Sequence, residues 1–161
     1  MSGAKRALRV ELIRRTTAAA PGQRSLVLWA SAALGARAAG REIAVQLVSA
    51  PTSRRLNREF RGEDHATNVL SFPAVPLPGV QPQPLDDLVI CPQVLRREAR
   101  EQGKSERAHW AHLVIHGTLH LVGYDHIDDS DARRMERREV TVLRRLGFAN
   151  PYRMARSAGA S

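Results

Sequence analysis

The sequence predicts one α+β domain over its 161 residues. Three observations predict it. Short alternating apolar and polar runs read as half-buried strands. Longer Ala- and Leu-rich or amphipathic stretches, bounded by Gly, Pro and Ser, read as helices and intermix with the strands. No internal repeat or composition break divides the chain, and its length suits a single core. The same order of elements also admits a mixed α/β arrangement.

Taken in order, Leu8 to Arg14 alternates with Leu8, Val10 and Leu12 on one side, and is predicted as the first strand. A loop follows at Pro21-Gly22. Arg24 to Ala39 carries Leu26, Trp29, Ala30, Ala33 and Leu34 at helical spacing and is stopped by Gly40. Glu42 to Ser49 alternates again through Ile43, Val45 and Leu47. Pro51 to Phe60 reads as a helix, and Asn68 to Phe72 as a short strand closed by Pro73. Between Pro73 and Pro84 stand Pro76, Pro78 and Pro82, which exclude a regular helix or central strand. This segment reads as a surface connection, with a lid beside a site as the alternative. Leu88 to Cys91 completes four strands. Pro92 opens a helix to Glu101, broken by Gly103. Ser105 caps a long helix to Val122, ended by Gly123. Asp131 to Leu146 is the last helix, capped by Ser130 and Asp131. The tail from about residue 153 is expected to fray.

Composition narrows the function. Lys and Arg number 25 against 16 Asp and Glu, a net charge of +9 that suggests a polyanionic partner such as nucleic acid. Most of these basic residues alternate with acids, as on solvated helix faces. The hydrophobic fraction of 43% argues against wholesale disorder. The single cysteine, Cys91, excludes an internal disulfide framework. No apolar stretch reaches membrane-spanning length, and the first fifteen residues lack the apolar core of a secretory signal. A cytoplasmic protein without membrane contact is expected.

Five of the six histidines lie between 109 and 126: His109, His112, His116, His120 and His126. On a helix, His116 and His120 are about 40° apart in rotation and about 6 Å apart along the axis, so both can meet one metal at about 2.1 Å. His112 lies about 12 Å from His120 along that axis, too far to share the ion. His126 would lie about 15 Å from His116 if the helix continued. Gly123 can turn the chain back instead and bring His126 in from the side. Three imidazoles and one open position describe a catalytic zinc site, although nickel or another divalent metal also suits such a donor set. His109 and His112 stay ordinary helix positions or lie just behind the ligands. The spacing is that of the metzincin motif HExxHxxGxxH, but Gly117 replaces its general base, which argues against peptide hydrolysis.

A second motif runs Leu56-Asn57-Arg58-Glu59-Phe60-Arg61-Gly62, then Asp64-His65-Ala66-Thr67-Asn68-Val69-Leu70-Ser71-Phe72-Pro73. A third is Leu85-Asp86-Asp87-Leu88-Val89-Ile90. Together with the histidine run HGTLHLVGYDH, these resemble the YbeY family of zinc-dependent endoribonucleases from Leu56 to His126. The resemblance implies an α+β domain with a mixed sheet and a metal at one end of a cleft. It places zinc ligands on His116, His120 and His126 and a catalytic arginine on Arg61. It implies cleavage of single-stranded RNA in maturation of the 3′ end of small-subunit (16S) ribosomal RNA and in ribosome quality control. It further implies association with a small-subunit ribosomal protein and a ribosome-assembly GTPase. Three positions depart from the family pattern: Glu63, where a basic residue is common; Ala66, where Pro is; and Asp86, where Gly is.

The chemistry suits phosphodiester cleavage without the family name. Negative charge develops on phosphate oxygens, and a metal with a guanidinium stabilises it. Arg61 offers a planar fork that matches phosphate. The attacking oxygen is either water or the RNA's own 2′-hydroxyl. Asp125 either orients a ligand imidazole or serves its turn. Asn68 and Ser71 either line the cleft or hold a strand edge. Tyr124 and Thr118 read as packing. A second function class stays open: a non-catalytic assembly factor that binds ribosomal RNA or protein and uses zinc only for structure.

Overall fold

A computed structural model describes residues 6–152; the expected frayed tail lies outside them. Ten regular elements follow in order: β1 (Arg9–Arg14), α1 (Gln23–Leu34), a short 3-10 turn (Gly35–Ala38), β2 (Glu42–Leu47), α2 (Ala50–Arg61), β3 (Val69–Phe72), β4 (Asp86–Ile90), α3 (Pro92–Glu101), α4 (Glu106–Leu121) and α5 (Asp129–Arg145). The four strands form one mixed sheet in the order β1-β2-β4-β3. β1, β2 and β4 are parallel, and β3 runs antiparallel to β4 on the edge.

Side-chain alternation splits the sheet between two apolar layers. Val69, Leu88 and Ile90 join Ile43, Val45 and Leu47 in the main core, where α1, α4 and α5 pack. Leu70, Val89 and Val48 face the other way, against Leu56 of α2. The sheet thus sits between helices, and β3 and α4 meet at its edge.

Most predicted elements form where the sequence places them, with local corrections. The predicted helix to Ala39 stops at Leu34, because Gly35 adopts φ 58° and the chain continues as a 3-10 turn. β4 starts at Asp86, two residues before Leu88, since Asp86 pairs in register with Ile43. Asp86 is nearly buried but satisfied. It accepts the Ala74 N–H at 2.7 Å and lies 3.3 Å from Arg41. The acid at this unusual position therefore pins the proline-rich connection to the sheet. Ser105 caps α4 by accepting from the Ala108 N–H. α5 is capped by Asp128, not by Ser130 or Asp131; Asp128 accepts the Asp131 N–H at 2.8 Å. The 73–84 segment is an exposed connection, braced by Gln83, whose amide donates to the Leu77 carbonyl and accepts from its N–H.

Candidate metal centre and cleft

The centre is built on the last turns of α4. His116 and His120 project from one face of that helix. At its end the Gly123 N–H bonds to the His120 carbonyl and the Tyr124 N–H to the Leu119 carbonyl. Gly123 takes φ 98°, a left-handed conformation that side chains disfavour, and the chain folds back. His126 then arrives beside the other two rings. One ring nitrogen from each of His116, His120 and His126 lies within 4.8 Å of the other two. His112, on the same stripe, is not in this group.

The donor set fits a metal. The Nε2 atoms of His116 and His120 are 3.2 Å apart. A tetrahedral ion with bonds of about 2.1 Å would set them roughly 3.4 Å apart. Burial, then the neighbouring His116 and His126, lower the pKa of His120. That favours the neutral imidazole, the form that ligates. The His116 Nδ1–H donates to the Glu139 carboxylate, which leaves the lone pair of Nε2 turned toward the other two histidines.

Glu139 of α5 lies outside every motif of the sequence. It has no exposed surface. Burial alone would raise its pKa, but hydrogen bonds from His112 and His116 override this and hold it at about 2. Its second oxygen accepts the Tyr152 hydroxyl. One signal in the sequence pointed to it: Met135, Glu139, Val142 and Leu143 form the buried stripe of α5, and a charge in such a stripe needs partners.

A cleft of about 560 Å³ runs from the histidines along β3 to the end of α2. Arg61, Asn68, Ser71, His116, His120, Asp125 and His126 all line it. Arg61 is the last residue of α2. Two buried polar residues fix it there. The Ser53 hydroxyl donates to the Thr67 carbonyl, and the Asn57 amide donates to the His65 carbonyl. These bonds tie the loop after α2 back onto the helix, beside β3. Asp64 pairs with Arg54 and Arg58, whereas among the described residues no carboxylate pairs with Arg61. Glu63 pairs with His65 at 2.7 Å rather than with a cleft arginine.

The remaining candidates divide. The Asp125 carboxylate accepts the backbone N–H of His126 at 2.7 Å, so it shapes the turn, and Glu139 is the carboxylate that reaches the His116 ring. Ser71 donates to the Gly117 carbonyl at 2.9 Å, stitching β3 to α4. Asn68 donates to Glu98, which also bonds His109 at 3.0 Å. His109 and His112 therefore both meet carboxylates behind the site. Thr118 is fully buried, and Tyr124 packs on the core beneath Arg134.

Gly117 has a steric role as well as lacking a base. A Cβ there would stand 2.9 Å from Leu88 Cδ2, 3.1 Å from Val69 Cγ2 and 3.2 Å from Ser71 Oγ. α4 approaches the sheet closely because this position has no side chain.

Known proteins resemble this chain over most of its length. Residues 21–147 match the family described as Endoribonuclease YbeY. An Endoribonuclease YbeY of Pseudomonas putida strain W619 is 51% identical over 146 residues, covering 90% of this chain and 93% of its own. One from Methylococcus capsulatus is 50% identical over 145 residues, covering 90% and 95%. The solution structure of TM1509 from Thermotoga maritima superposes with a TM-score of 0.53 at 25% identity, covering 86% of this chain and 91% of that one. The match spans the histidine turn, the β3 motif and Arg61 alike, and the chain belongs to the Endoribonuclease YbeY family.

Proposed function

We propose that this protein is a zinc-dependent endoribonuclease that cuts unpaired segments of small-subunit ribosomal RNA in the cytoplasm. One observation supports the catalytic reading above others: three convergent imidazoles and an arginine without a carboxylate partner among the described residues share one cleft. His116, His120 and His126 would hold the metal. When bound, zinc supplies Lewis acidity toward phosphate oxygens and makes hydroxide accessible near neutral pH.

The protein's own groups do the rest. The Arg61 guanidinium binds a non-bridging phosphate oxygen pair and stabilises the charge that grows there. No carboxylate stands at Gly117 to act as a base. The ribosomal part of the reading, including a small-subunit protein and an assembly GTPase as neighbours, rests on the family resemblance. No described helix is long and apolar enough to cross a membrane.

The test is cleavage of a structured ribosomal RNA fragment by identically purified wild type and Arg61→Ala. The variant should keep the wild-type circular dichroism spectrum and lose about 10²- to 10³-fold in rate, the usual effect of removing one transition-state donor. Equal rates would refute the role of Arg61. Binding without cleavage by the zinc-loaded wild type would favour the zinc-stabilised assembly factor.

A further inference from the structure

The metal centre has a supporting group that neither the histidine motif nor the family name specifies. Glu139 lies 23 residues beyond His116 on a different helix. Both of its oxygens are occupied. The His116 Nδ1–H donates to Oε1, and the Tyr152 hydroxyl donates to Oε2. His112 Nε2 stands 3.5 Å from Oε2, and the Tyr152 oxygen is 3.4 Å from the same His112 nitrogen. The carboxylate thus joins two histidines of α4, one turn apart, to a tyrosine near residue 150.

We infer that Glu139 is a positioning residue for the metal: it fixes the tautomer and ring angle of His116, and Tyr152 and His112 fix Glu139. The inference rests on the metal reading above. The alternative is a carboxylate that serves only the packing of α5 against α4. That alternative leaves the choice of residue unexplained. Position 139 continues the apolar stripe of Met135, Val142 and Leu143, where a well-packed aliphatic side chain is generally at least as stabilising as a buried ion pair. The bond to His116 supplies the reason. An imidazole that donates from Nδ1 to a carboxylate is held with Nε2 unprotonated and made more basic toward an ion. It also spares the site a rotational search when the ion arrives.

The structure also provides an internal control. Glu98 is a partly buried carboxylate that bonds another histidine of the same helix, His109 at 3.0 Å. His109 is not among the three clustered rings. Neutralising Glu98 disturbs α4 similarly without touching a ligand.

Zinc affinity, measured by competition with a chromophoric chelator on the full chain, separates the two readings. Glu139→Gln should bind zinc about 10- to 100-fold more weakly, the usual effect of removing such a partner, while Glu98→Gln keeps the wild-type affinity. Unchanged affinity in a folded Glu139→Gln protein would overturn the inference, and so would equal weakening in both variants. Wild-type protein that binds no zinc would overturn the metal reading and this inference with it. If Glu139→Gln does not fold, the zinc-loaded wild type still decides. Its imidazole proton–nitrogen NMR spectrum should show the His116 Nδ1–H in slow exchange and hydrogen-bonded. A freely exchanging, solvent-like proton there would overturn the inference.

Discussion

Replacing Gly117 with alanine sets two effects of opposite sign against each other. Alanine is the better helix former by about 0.8–1 kcal/mol. Against that, its methyl group enters a space already filled, with contacts of 2.9, 3.1 and 3.2 Å to Leu88, Val69 and Ser71. Leu88 is 0% exposed and Val69 8% exposed, so neither can retreat into water. Val69 is also β-branched and stiff at χ1. Overpacking of this kind costs about 1–3 kcal/mol. Three simultaneous contacts place it near the upper end, so the net destabilisation is about 1–2 kcal/mol. For a chain of this size that lowers Tm by roughly 2–8 °C. The assay is thermal and urea unfolding of zinc-loaded wild type and Gly117→Ala, read by circular dichroism. A variant more stable than wild type by about 1 kcal/mol, the helix-propensity gain alone, would refute the claim that α4 has no slack against the sheet.

Three further outcomes follow from other parts of the structure. Burial raises the pKa of Glu98, but hydrogen bonds from His109 and Asn68 outweigh it and hold the carboxyl below its ordinary value. Its stabilising contribution is therefore complete above the unfolded carboxylate range and is lost as pH falls through the lower folded value. Urea midpoints measured from about pH 6 to pH 3 should fall more steeply for wild type than for Glu98→Gln; parallel slopes would contradict this. Removing zinc with a chelator should lower the melting temperature, because at a free zinc concentration of 100 times Kd the ion adds about 2.7 kcal/mol; an identical Tm with and without chelator would be inconsistent with binding to the folded state. Asp128→Ala should cost about 1 kcal/mol through loss of the N-cap of α5, and a urea midpoint unchanged from wild type would show that the cap is dispensable.

Local signals in the chain made much of this legible. Ser105, Pro92 and Gly123 mark their helix ends by chemistry that acts over a few residues. The clustering of His116, His120 and His126 was legible because two of the rings share one helix face and the third follows a glycine. Other features depend on partners far along the chain. The break at Gly35 lies within an Ala-rich stretch whose local preference is helical throughout. Asp86 resembles a strand-edge acid until Arg41 and the Ala74 N–H come to meet it. Glu139 stands among the charges of α5, and only the buried spacing of Met135 and Val142 sets it apart. Asp125 is adjacent to His126 in sequence, yet the His126 backbone takes its carboxylate. Of the two roles open to Asp125 in the sequence, the fold shows the turn, and the carboxylate that bonds the His116 ring comes from α5.

The order in which the chain supplies its cleft has a consequence for synthesis. Arg61 is made first, the histidines some 55 to 65 residues later, and Glu139 and Tyr152 close to the end. The sheet that unites them also pairs β1 with β2 and β2 with β4, so few of its contacts are local. A growing chain that has made the histidines but not α5 therefore lacks the carboxylate beneath His116. If Glu139 positions His116 as inferred, that support is synthesised after the sheet and α4. A product truncated before α5 carries the recognisable motif without Glu139 and Tyr152.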